Sequence, residues 1–200
     1  MSALKLGLVV EGHGEVRAAP VLFRRMAADI DASVPVEIVP PIRGSRDSLV
    51  RGKLEPAVAL AASKVRPTGA VFVLLDSDDD CPASMAPELL RRAQSASLGM
   101  PVSVILAHRE FEAWFLAAAE SLRGQRGLDG DLACPGNPEE VRGAKEWLHR
   151  RMGNGYSPTI DQPALAAMMD LNQARTAPSF DKCYRDLRCL IERFRAAIPE

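Results

Sequence analysis

The chain is 200 residues long, 47% hydrophobic and 26% charged, with a formal net charge of −1. These values fit a soluble globular domain, alone or with an appendage, and exclude a strongly basic nucleic-acid binder, so any phosphate backbone must be met by local patches. Cys81, Cys134, Cys183 and Cys189 form no C-x-x-C pair, which argues against a structural zinc site or a disulfide framework.

The opening run LKLGLVV, residues 4–10, stops at EGHGE, and apolar residues then recur at helical spacing from Val16 to Ile30, predicting strand, tight turn and helix. Glu11 interrupts the run too early for a signal peptide or membrane span, and no later stretch approaches about 18 apolar residues, so a cytoplasmic protein with no membrane partner is expected. VPVEIVPPI, residues 34–42, predicts a strand near a sheet edge because Pro40 and Pro41 break it. After the polar loop RGSRDS, Ser48 is positioned to cap a helix over 49–64, with Pro56 warning of a kink or a later start.

GAVFVLL, residues 69–75, is apolar at every position and predicts a central parallel strand buried on both faces. A helix over 87–96, a strand over 101–107 and an amphipathic helix over 110–122 complete an alternation that predicts a parallel sheet with helices on its faces. Beyond Gly124 the pattern is helical, near 138–152, 162–173 and 180–197, with Ser179 as a cap. The expected organisation is an α/β domain over 1–122 and a helical extension over 123–200 packed on it.

The chemistry concentrates where strands end. In open parallel sheets ligands bind outside the carboxyl ends of the strands, so Glu11, Asp76 and the HRE of residues 108–110 are expected to converge. Asp76, Asp78, Asp79 and Asp80 repel one another unless water or a cation screens them, so LLDSDDD is either a solvated turn or a metal site. Glutamate and D-x-D on one edge make an oxygen-only donor set, the preference of Mg²⁺ or Mn²⁺. Gly12 and Gly14 permit a sharp turn that would bring Glu15 to a helix start facing the same place as Glu11. His13, Arg43, Arg46, His108 and Arg109 are candidates for phosphate contacts, with turn hydrogen bonds and a solvated loop as the plainer alternatives. Phe111, Trp114 and Phe115 read as core, and the basic run Lys182, Arg185, Arg188, Arg193, Arg195 as the exposed face of a helix.

A glutamate-glycine after strand one and a D-x-D after a later strand resemble the toprim domain of topoisomerases, DnaG-type primases and overcoming-lysogenization-defect nucleases. The fuller set VVEGHGE, LLDSDDD, HREFEAWFLA and APSFDK is similar to the bacterial domain-of-unknown-function family 4276, over nearly the whole chain. The resemblance implies a toprim-like fold in which Glu11, Asp76 and Asp78 are catalytic and Glu11, Glu15, Asp76, Asp78 and Glu112 bind Mg²⁺ or Mn²⁺, with Glu110 the alternative to Glu112. It implies a nuclease or related phosphoryl-transfer enzyme acting on DNA or RNA, or alternatively a non-catalytic partner of a separately encoded ATPase in phage defence. A phosphatase acting on a small phosphorylated compound is a third and weaker reading. The chain has no G-x-x-x-x-G-K-[ST], G-x-G-x-x-G or G-x-S-x-G, which excludes a P-loop, a Rossmann fingerprint and a serine-hydrolase elbow.

Overall fold

The computed structural model describes residues 3–197. Five strands form one parallel sheet: β1 (Leu4–Val10), β2 (Val36–Ile38), β3 (Ile42–Arg43), β4 (Gly69–Asp76) and β5 (Val102–Ala107). The order is β2-β1-β4-β5, with β3 paired to the last two residues of β1. The single strand expected over 34–42 is therefore two short ones. Pro40 and Pro41 have no N–H to donate to a ladder, so pairing lapses between Ile38 and Ile42.

Side chains alternate across the sheet and bury both faces. Leu6, Leu8 and Val10 of β1, with Phe72 and Leu74 of β4, meet helix α1 (Glu15–Asp31), where Phe23 packs edge-to-face on Phe72 with centroids 4.9 Å apart. Val9, Val71, Val73, Leu75, Val104 and Leu106 point the other way. They are covered by α3 (Leu54–Val65) and α4 (Pro82–Ala96). Each large side chain withdrawn from water contributes about 1.5–3 kcal/mol, so the two-sided core dominates stability. Crossovers leave β1 and β4 in opposite directions, which makes the gap between their carboxyl ends the topological switch point.

Several helices depart from the pattern in the sequence. The segment after β3 begins with three residues, α2 (Arg46–Ser48), and a wide π-type turn over Leu49–Lys53 broken by Gly52 at φ 156°. Regular helix starts only at α3, which puts Pro56 in its first turn, where no N–H is needed, and leaves Ser48 inside the preceding segment rather than capping it. α4 starts five residues earlier than expected, on Pro82. The expected 110–122 helix is a five-residue α5 (Ala113–Ala117) followed by a 3₁₀ turn over Ala119–Leu122. It is not amphipathic: residues 111–119 are all buried, because helices cover it on every side.

The C-terminal part comprises α6 (Ala144–Arg151), α7 (Pro158–Met168), α8 (Leu171–Ala174) and α9 (Pro178–Ala196). Helix α7 lies along α1, where Arg25 Nη1 donates to the Ala166 carbonyl at 2.7 Å. Phe180, Cys183, Tyr184, Leu187 and Ile191 of α9 join the same core as α1 and the sheet. Ser179 is within α9, not its cap. Its Oγ accepts from Trp114 Nε1 at 2.7 Å and donates to Glu139, tying α9 to α5. Ion pairs Lys182–Asp186, Arg185–Asp181 and Arg195–Asp31 account for much of the basic run as a surface face. Among the described residues the four cysteines are free and no helix is long and apolar enough to cross a membrane.

Candidate functional site

The switch point gathers carboxylates from four segments. β1 ends one residue before Glu11, and the neighbouring strand β4 ends on Asp76, whose backbone N–H donates to Glu11 Oε2 at 3.3 Å. Glu15, the first residue of α1, turns back so that Oε2 accepts the Glu11 N–H at 3.0 Å. This turn needs space that only glycine leaves. A Cβ on Gly14 would lie 2.0 Å from Gln162 Oε1 and 2.7 Å from the Pro158 carbonyl, so α1 and α7 meet at this residue.

The fourth carboxylate comes from the loop after β5. Glu112 is 0% exposed. Its Oε1 accepts from Tyr156 Oη at 2.9 Å and Gln162 Nε2 at 2.8 Å, while Oε2 is buried without a hydrogen-bond partner. Into the space between the acids reaches Lys145 of α6, its Nζ 3.5 Å from Asp76 Oδ2, 3.5 Å from Glu110 Oε2 and 3.5 Å from Glu112 Oε2. Glu110 also accepts the Ala144 and Lys145 N–H groups, both at 3.2 Å, satisfying the start of α6 and fixing where the lysine begins. Asp76 Oδ1 accepts the Phe111 N–H at 2.7 Å. Among the described residues no three His, Cys, Asp or Glu side chains close around one point in the geometry of a bound metal. The Lys145 ammonium is the cation at the centre.

Burial and mutual repulsion disfavour ionisation of Glu11, Glu15, Asp76 and Glu112. Burial, then the Glu11 and Glu112 charges, push Glu15 up to about 7 despite two backbone hydrogen bonds. Asp76 is raised well above the usual range by burial and then by Glu15. Burial raises Glu112 and Glu11, with Asp78 adding to the effect at Glu11. Burial works against the Lys145 charge, but Glu112, Asp76 and Glu110 outweigh it and hold the lysine protonated. Tyr156 is raised by burial and by Glu112, so it remains a donor.

The aspartates after Asp76 form the rim. Asp78, at φ 50°, turns its carboxylate to Arg46 Nε at 3.3 Å, outside the buried cluster; Arg46 also pairs with Asp80 and donates to the Asp76 and Ser77 carbonyls. Asp79 pairs with Arg109 Nη1 at 2.9 Å and Arg142 Nη1 at 2.7 Å. His13 and Arg43 are exposed. His108 lines a cleft of about 710 Å³ beside β5, between the start of α4 and the start of α9.

Glu11, Glu15, Asp76 and Glu112 are thus brought together, with Asp78, Arg46 and Arg109 at the mouth and His13 and Arg43 outside. Sequence reasoning missed Lys145, Tyr156, Gln162 and Arg142, all in the region read as a helical extension. Only the helical phase of RGAKEWL could have flagged Lys145, and a lysine on a short helix normally faces water.

The family model described as "Domain of unknown function (DUF4276)" matches residues 10–188, and the chain belongs to that family. No curated protein and no solved structure matches it.

Proposed function

We propose that this member of the DUF4276 family is a toprim-like, divalent-metal-dependent nuclease that cleaves phosphodiester bonds of DNA or RNA with Mg²⁺ or Mn²⁺. The observation that carries the reading is the buried Glu112 Oε2, which has no hydrogen-bond partner and shares only the Lys145 ammonium, at 3.5 Å, with Asp76 at the switch point. Three carboxylates, Asp76, Glu110 and Glu112, share one ammonium, and Glu11 and Glu15 stand next to them. Such an excess of buried negative charge persists only if protons or a further cation balance it. The donors are all oxygen, and the four cysteines lie elsewhere, which fits a hard cation rather than zinc.

The residues that would hold the cation are Glu11, Glu15, Asp76 and Glu112, with Asp78 at the rim. A divalent ion supplies Lewis acidity toward a phosphoryl oxygen and lowers the pKa of bound water. Tyr156 and Gln162 hold Glu112 Oε1 and so keep Oε2 turned toward Asp76 and Lys145. Lys145 has a flexible stem and is 41% exposed, so its ammonium can leave the carboxylates for a phosphate oxygen when another cation takes its place. Arg46 and Arg109 stand where a phosphate backbone would enter.

The test is cleavage of DNA and RNA with Mg²⁺ or Mn²⁺, comparing wild type with Glu11→Gln and Asp76→Asn. The reading expects activity in the wild type and its loss in both variants; equal activity in all three ends the catalytic assignment. The Lys145 ammonium favours a second reading, a non-catalytic partner of a separately encoded ATPase, since the protein already partly neutralises its own cluster. Co-purification with such an ATPase and no metal uptake would support it.

A further inference from the structure

We infer that Arg109 and Arg142 form a phosphate clamp at the mouth of the carboxylate cluster, and that Asp79 is its built-in, displaceable occupant. The two arginines come from unrelated places in the chain, the loop after β5 and the segment before α6, yet both place an Nη1 on the same oxygen, Asp79 Oδ1, at 2.9 and 2.7 Å. Two guanidinium groups converging on one anionic oxygen are a donor set that a phosphate oxygen can take in place of the carboxylate.

The occupant is held weakly. Asp79 is 72% exposed and Arg142 71%, and ion pairs so open to water contribute little. Arg109 is held firmly: it is 21% exposed, its backbone sits at φ 63°, and its N–H donates to Ser77 Oγ at 2.9 Å. Its Nε is buried without an acceptor, so the guanidinium retains a donor that Asp79 does not use. A phosphate offers more acceptor oxygens than a carboxylate and could engage it.

The place is also right. The clamp lines a cleft of about 170 Å³ with Asp78, Glu110 and Gly143, and Glu110 in turn touches Lys145 at 3.5 Å. A phosphate seated there would lie beside the acidic cluster without entering it. This gives Asp79 a role of its own among the aspartates beyond Asp76: it holds the clamp closed to weak anions, and a polyanion gains entry by replacing it. The inference builds on the proposed function by naming a phosphate group as the ligand at the mouth, but its test needs neither metal nor turnover.

Binding of a short fluorescein-labelled single-stranded DNA is measured by anisotropy in EDTA, with inorganic phosphate as competitor. Asp79→Asn is expected to tighten binding about threefold, the scale of exposed ion pairs released. Arg142→Ala is expected to weaken it and to lower the salt slope by about one. Asp47→Asn, an exposed change of the same charge on the β3–α3 segment, should leave it unchanged. In an Arg142→Ala background the tightening by Asp79→Asn should be smaller, because only Arg109 remains to be released. Competition by inorganic phosphate at the same site points to a small phosphorylated ligand, and displacement only by oligonucleotide to nucleic acid; either result supports the clamp. No binding by any variant, or equal tightening by Asp47→Asn and Asp79→Asn, overturns it. If cleavage fails while Asp79→Asn still tightens binding, the clamp stands and the nuclease reading falls.

Discussion

Glu11 Oε2 accepts the backbone N–H of Asp76 at 3.3 Å across 65 residues of chain. The contact joins the carboxyl ends of the two central strands and puts the first acid of the site against the second. With Glu15 and Glu112 behind them, it closes a cluster of acids of which Glu15, Asp76 and Glu112 are buried.

The first expectation concerns pH. Glu15 is raised to about 7 and Asp76 well above its usual range, so their folded pKa values exceed the unfolded ones. Groups of this kind favour the fold at pH below the unfolded values, near 4, and that benefit is lost as pH rises through the folded values. In EDTA the melting temperature should therefore fall between about pH 5 and pH 8, and Glu15→Gln should flatten the fall. A melting temperature independent of pH in this range would contradict the assigned burial.

On the proposed function, Mn²⁺ or Mg²⁺ would compete with those protons. Either ion should raise the melting temperature more at pH 8 than at pH 6, because at the higher pH the carboxylates are ionised and repel. Glu112→Gln should raise stability in EDTA by removing a buried charge and should abolish the response to metal. Thermal melts with and without Mn²⁺ at the two pH values check both.

Lys145→Met removes the ammonium at the centre. Since Lys145 is part-exposed, the expected loss is about 1–2 kcal/mol, below the cost of breaking a fully buried pair. The loss should be larger at pH 8 than at pH 6, and Mg²⁺ should restore part of it. Urea melts at both pH values measure this, and equal losses at the two would show that the lysine does not balance the cluster.

Gly14→Ala tests how α1 meets α7. The new methyl would stand 2.0 Å from Gln162 Oε1 and 2.7 Å from the Pro158 carbonyl, and the latter is backbone that cannot turn aside. A destabilisation of about 2 kcal/mol is expected by chemical denaturation. Because Gln162 also holds Glu112, metal response should weaken with it.

Strand positions were legible in the sequence because β1, β4 and β5 are apolar runs bounded by polar turns, and parallel order follows from their alternation with helices. Glu11 and Asp76 followed directly, since they stand where those strands stop. Helix starts were less legible: Gly52 and Pro56 left regular helix to begin at Leu54, and Pro82 began α4 ahead of its apolar spacing. α5 misled for a different reason. Its phase suggested one wet face, but packing against the C-terminal helices buries Ala113 and Trp114 alike. The same packing hid Lys145, Tyr156 and Gln162, whose roles depend on contacts 33 to 69 residues away in the chain, and tertiary contacts of that span have no periodic signature.

The most direct measurement is the anomalous signal of a crystal soaked in Mn²⁺ at pH 8. The account predicts a peak bounded by Glu11, Asp76 and Glu112, with the Lys145 ammonium displaced, and no peak in Glu11→Gln. A wild-type crystal in which Lys145 keeps its place and no manganese enters would contradict it.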